Sequence, residues 1–137
     1  MRIVEVNSTN LLSFKKKKDL TKWVISIFEQ QRSVRIASSG LEVYFGNMAA
    51  KRDTIKQDYK NIITIAIYSE IQALLKNAQY KEFIQADEKH AYRVKGQYIY
   101  HSHIKLDEKK YRIEIKIDVP LEDNNTFNYA SSKIIKM

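Results

Sequence analysis

His101 and His103 stand two residues apart, with Lys105 two further on. Side chains on an extended strand alternate between its faces, so all three share one face. A second run, Tyr111 to Val119, alternates as strictly. Arg112, Glu114, Lys116 and Asp118 fall on one side, and Ile113, Ile115, Ile117 and Val119 on the other. If the two runs pair, both histidines meet Arg112 and Lys116 on one polar face, with Ile104 and Leu106 on the core side. Histidine, with an ordinary pKa of about 6.5, can give or take a proton at neutral pH. RNA cleavage needs a base for the 2′-hydroxyl, an acid for the departing 5′-oxygen and cations for the phosphorane charge. His101 or His103 could act as base or acid beside Arg112. Lys105 and Lys116 could hold the phosphate, and Tyr129 could supply a hydroxyl or a ring for base stacking. The same residues are also what the solvent face of a basic antiparallel sheet presents. The sequence leaves both readings open.

Other chemistries find less support. Two histidines at i, i+2 could ligate zinc, but the third ligand would have to be Glu114 or His90. Ser102, Ser131 and Ser132 lack the flanking glycines of a nucleophile elbow. No glycine-rich loop is present to cradle phosphates. The absence of cysteine removes disulfides, thiolate nucleophiles and cysteine-based zinc sites together. Neither a metal nor another cofactor is expected.

The elements that must position these residues are legible along the chain. Arg2 to Val6 alternates as a short strand or extended arm. Leu20, Trp23, Val24, Ile27 and Phe28 recur at helical spacing. The lysines at 15 to 18 just before them oppose a helix macrodipole, so they are looped or serve another purpose. Ser33 to Ala37 and Leu41 to Phe45 read as a hairpin turned at Gly40, followed by Asn47 as a helix cap. From Met48 to Tyr80 an apolar stripe marks a long helix, with a break expected near Asp58. Tyr80 to His90 fits a last helical turn or a loop. Tyr92 to Leu106 and Tyr111 to Val119 pair through Asp107 to Lys110. Pro120 ends the second strand. Leu121 to Thr126 is a polar loop, and Phe127 to Ile135 offers a final strand. The expected fold class is α+β, with N-terminal helices packed on one face of a twisted antiparallel sheet formed mainly by the C-terminal half. The 137 residues are expected to form one domain, with hairpin and helices over 1–80 and the meander over 91–137.

Composition points to the partner. Twenty-four Lys and Arg against sixteen Asp and Glu give a net charge of +8, alongside nine tyrosines. Such a balance favours a polyanion, with RNA or DNA ahead of a lipid surface. The tyrosines at 98, 100 and 111 would stud a basic sheet with aromatic rings. No apolar run approaches the roughly 18 residues that a membrane span needs. Glu5 and Asn7 interrupt the only apolar stretch near the N-terminus, so no signal peptide is expected. The site of action is expected to be a cytoplasm, reached by synthesis there or by delivery.

A succession of short motifs runs through the chain: Ser39-Gly40-Leu41-Glu42-Val43, Leu75-Lys76-Asn77-Ala78 and Asp87-Glu88-Lys89-His90. Tyr98 to Lys105 and Lys110 to Lys116 follow. From about Trp23 onward, this resembles the nuclease-like domains of phage polyvalent and polymorphic-toxin proteins. Those domains are grouped with the barnase–EndoU–colicin–RelE ribonuclease superfamily. The resemblance implies a metal-independent ribonuclease whose open sheet face cuts RNA, often tRNA. By position and type, His101, His103, Lys105, Arg112, Tyr129 and Lys133 match its site. Lys51 and Arg52 on the long helix are added as RNA-binding cations. An acidic immunity protein is the implied protein partner, and such toxin modules usually end longer proteins. The leading expectation is a small basic toxin-type ribonuclease. Its rivals are a noncatalytic nucleic-acid-binding module and a protein-interaction domain of a phage or toxin–immunity system.

Overall fold

The computed structural model of the chain describes residues 2–122 and 126–135. Of the polar loop expected at 121–126, residues 123–125 therefore lie outside the described residues. Strand β1 (Ile3–Val6) precedes a single 3-10 turn and helix α1 (Lys17–Gln30). Leu20, Val24 and Phe28 recur one turn apart on α1 and are fully buried. Asp19 in its first turn complements the positive end of the helix dipole. Lys17 has a structural partner, since its Nζ donates to the carbonyls of Ile55 (3.0 Å) and Gln57. The expected hairpin is present as β2 (Ser33–Arg35) and β3 (Glu42–Tyr44). Gly40 lies between them at φ 75°, the left-handed region where glycine has no Cβ penalty.

The expected long helix is three pieces: α2 (Asn47–Ile55), α3 (Ile62–Ser69) and α4 (Ile71–Lys76). The break falls around Asp58, where Asn61 caps α3 by accepting from the Ile63 amide. Gly46, rather than Asn47, occupies the cap position of α2, and the Asn47 side chain instead accepts from Arg32 at 3.0 Å. Residues Ile63 to Tyr68 of α3 are all buried, so this helix is enclosed on every side. Next comes β4 (Gln79–Gln85), a strand where a helical turn or loop was expected. Every residue of β4 is exposed, so it carries no apolar alternation to read.

The chain then forms β5 (Val94–Leu106), β6 (Lys109–Pro120) and β7 (Phe127–Ile135). The β5–β6 turn is only Asp107-Glu108, with Asp107 at φ 53°. Asp107 is tied to β1 as well: its amide donates to the Val6 carbonyl at 2.9 Å, and its side chain accepts from the Ser8 amide at 3.0 Å. Among the described residues the strands make one seven-stranded sheet in the order β1-β5-β6-β7-β3-β2, with β4 also paired to β5. The α+β architecture is as expected. Two pairings, β1 with β5 and β3 with β7, are parallel, so the sheet is mixed. With 13 residues, β5 is long enough to take β1 along one stretch and β4 along another.

The core lies between the helices and one face of this sheet. Ile104, Leu106, Ile113, Ile115 and Ile117 point that way and are buried. The Ser102 hydroxyl on the same face donates to the Leu74 carbonyl at 2.7 Å. Phe28, Phe45 and Tyr129 join in one aromatic cluster, with ring centroids 4.9 to 5.4 Å apart.

Candidate nucleic-acid interface

The opposite sheet face is polar, and β-alternation populates it. His103 pairs with Arg112, and His101 with Glu114. On the next strand Glu114 pairs with Lys133, and Lys116 with Ser131. His101, His103, Lys105, Arg112, Lys116 and Lys133 are thus brought onto one surface. All are half-buried except Lys133, which is exposed.

Its charge is less free than its composition suggests. Glu114 lies 3.9 Å from Lys116 and 3.8 Å from Lys133. Lys105 is shared between Glu5 at 4.0 Å and Glu108 at 3.7 Å. Arg112 has no ion-pair partner among the described residues. Burial pushes both histidines below their ordinary pKa of 6.5. Lys81 then lowers His101 further, and Arg112 lowers His103. The Nδ1 atoms of both rings are buried without a hydrogen-bond partner among the described residues. At neutral pH the face therefore carries two imidazoles held toward the neutral form, beside an Arg112 guanidinium that has no ion-pair partner among the described residues.

Tyr129 is not on this face. A bulge between Lys116 and Ile117 pairs Ser131 with Lys116 but Tyr129 with Ile117, leaving Ala130 as the extra residue. A regular strand would have kept Tyr129 in line with Ser131 and Lys133; the bulge turns it into the core, fully buried. Its hydroxyl lies 2.7 Å from Asp53 and 2.8 Å from Ser132. Stacking on a base is closed to it. Tyr98 and Tyr100 likewise lie on the helix side, edge-on to Tyr80.

Lys51 and Arg52 sit on α2, both exposed. Arg52 lines a cleft that also includes Gln97, Asp118 and Ser131, polar-face residues at the end away from the β5–β6 turn. Lys51, about 100° further back around the helix, is not among its lining residues. His90 also borders this cleft, held by Asp87 at 2.7 Å. From the sequence, His90 offers itself as a third metal ligand for the histidine pair. Its spacing of three residues from Asp87 was the available signal. Among the described residues no three His, Asp or Glu side chains converge as a cation site.

A family model described as large polyvalent protein-associated domain 3 matches residues 14–129. The chain belongs to that family. The match runs from just before α1 into the first part of β7, and so includes His101, His103, Arg112 and the cleft residues of α2 and β5, but not β1, Ser131 or Lys133. The polyvalent-protein part of the resemblance is thereby established for this large polyvalent protein-associated domain. No curated protein and no solved structure matches the chain. Among the described residues no helix is long and apolar enough to cross a membrane.

Proposed function

We propose that this polyvalent protein-associated domain binds RNA on the polar sheet face around Arg112. The observation that carries the reading is the Arg112 guanidinium, without an ion-pair partner among the described residues, set between His103, which burial holds toward its neutral form, and the Glu114–lysine cluster. A guanidinium fork suits a phosphate, and neutral imidazoles can stack on and hydrogen-bond to exposed bases. A net charge of +8 supplies the long-range attraction.

A second reading, metal-independent cleavage by a toxin-type ribonuclease, is favoured by the histidine pair. An imidazole kept neutral is ready to take the 2′-hydroxyl proton, and the other, once protonated as the pH falls, would give its proton to the leaving 5′-oxygen. The residues in that reading are His101, His103 and Arg112, without Tyr129.

One experiment separates the two. Wild type, His101→Ala/His103→Ala and Arg112→Ala are incubated with total tRNA in EDTA, and fragments and retained RNA are both scored. Fragments from the wild type alone establish cleavage. Intact tRNA, retained by the wild type and the histidine variant but weakly by Arg112→Ala, establishes binding without catalysis. RNA that is neither cut nor retained overturns both.

A further inference from the structure

The cleft bordering the polar face has a volume of about 450 Å³, within the range of roughly 300–1,000 Å³ for small-molecule sites. Arg52 lines it from α2 and Lys56 from the C-cap position just after that helix, and His90 and Arg93 from the segment that leads into β5. Gln97 and Ser131 contribute from the sheet.

Three carboxylates also reach this cleft, and each is already engaged. Asp53 accepts from Tyr68 and Tyr129 at 2.7 Å and from Gln57 at 3.2 Å. Asp87 holds His90 at 2.7 Å. Asp118 takes Arg93 at 3.2 Å and Gln97 at 3.0 Å. Arg52 and Lys56 are left over, both exposed and without an ion-pair partner among the described residues. They stand one helical turn apart on the same side of α2, where two like charges repel unless an anion lies between them.

We propose that this cleft binds a phosphate monoester, with the Arg52 fork and the Lys56 ammonium on its oxygens. A diester offers one negative charge per phosphate along a strand. A terminal phosphate offers nearly two on one group, which is what two adjacent cations at a concave site match. His90, oriented by Asp87, and the Ser131 hydroxyl are further hydrogen-bonding groups at the same cleft. The monoester could be that of a free mononucleotide or the 5′-phosphate of an RNA strand. Gln97 and His101 are four residues apart on one strand face, roughly 13 Å, so a strand end held here would lead onto the histidine face. His101, His103 and Arg112 are not among the residues that line the cleft.

Binding of adenosine 5′-monophosphate and of inorganic phosphate to the full chain is measured by calorimetry at low salt. Wild type is compared with Arg52→Ala/Lys56→Ala and with His101→Ala/His103→Ala/Arg112→Ala. The cleft variant should bind the mononucleotide about tenfold or more weakly, with an unchanged Tm because both side chains are exposed. The face variant should bind it as the wild type does. A short RNA with and without a 5′-phosphate then identifies the source. Tighter binding of the phosphorylated strand, lost in the cleft variant, assigns a strand end. Equal binding of the two strands, with competition by the mononucleotide, assigns a free nucleotide. Wild type that binds no monoester, or a cleft variant that binds it undiminished, overturns the proposal. Loss of mononucleotide binding in the face variant alone moves the anion to the histidine face.

Discussion

The hydroxyl of Tyr129 on β7 donates a 2.7 Å hydrogen bond to Oδ2 of Asp53 on α2, 76 residues earlier in the chain. Tyr68 donates to the same oxygen, and Gln57 ties Oδ1 of Asp53 to the Ser132 carbonyl. A carboxylate that is 1% exposed is thus satisfied by two phenols and an amide. This group pins α2 to the last strand and so sets one wall of the cleft. Burial raises the pKa of Asp53 against those hydrogen bonds, and raises Tyr68 and Tyr129 as well.

Tyr129→Phe removes one donor from that buried carboxyl and should cost about 1–3 kcal/mol. Urea unfolding measures the loss. RNA retention should persist, because the hydroxyl does not reach the polar face. Normal stability with lost RNA retention would give Tyr129 a direct role after all.

The pH dependence of stability has two opposed parts. His101 and His103 titrate below 6.5 in the folded chain, so the unfolded chain binds protons first as pH falls. Their contribution is complete above pH 6.5 and is lost as pH drops through the folded values. Asp53 works the other way, because its folded pKa lies above 3.8. Its contribution is complete below pH 3.8 and is lost as pH rises through the raised value. Between pH 7.5 and 5.5 the histidine part lowers denaturant midpoints as pH falls, so the midpoints of His101→Ala/His103→Ala should fall less steeply than those of the wild type. An equally steep fall in the variant would assign it to other groups.

Glu114 lies within ion-pair distance of both Lys116 and Lys133. Glu114→Gln should free both lysines, strengthen RNA binding and steepen its salt dependence, by roughly 0.7 in log–log slope for each phosphate gained on single-stranded RNA. Arg112→Ala should weaken binding and make the slope shallower. Filter binding at several salt concentrations reads both. A Glu114→Gln variant with wild-type affinity and slope would remove this face from the interface.

Gln85 at the end of β4 pairs with Gly96 on β5. A Cβ there would stand 2.2 Å from the Ile84 carbonyl oxygen and 2.7 Å from the Phe83 ring. The carbonyl belongs to the strand ladder and cannot swing aside. Gly96→Ala should therefore cost about 1–3 kcal/mol or more and loosen residues 79–85. Hydrogen exchange would register faster amide exchange in those residues. Unchanged exchange would mean that β4 does not lie against Gly96.

Much of this fold could be read from local pattern, and the reasons are local. Leu20, Val24 and Phe28 repeat at the helical period. Ile113, Ile115 and Ile117 alternate against Arg112, Glu114 and Lys116, so burial of one set forces the other outward with His101 and His103. Those periods alone determined the α+β class, the β5–β6 pair and the makeup of the polar face. The rest depended on contacts between distant segments. β4 has no buried residue to mark it, and only the open edge of β5 makes it a strand. One bulge, at Ala130, decided which way Tyr129 points, and strand alternation cannot announce a slip of one residue. The pairing of Glu114 with Lys133, and the meeting of Arg52 and Lys56 with His90 and Arg93 across one cleft, required the tertiary structure. Side-chain period is set by the backbone within a few residues, whereas neighbours across a sheet or cleft are set by how whole elements pack.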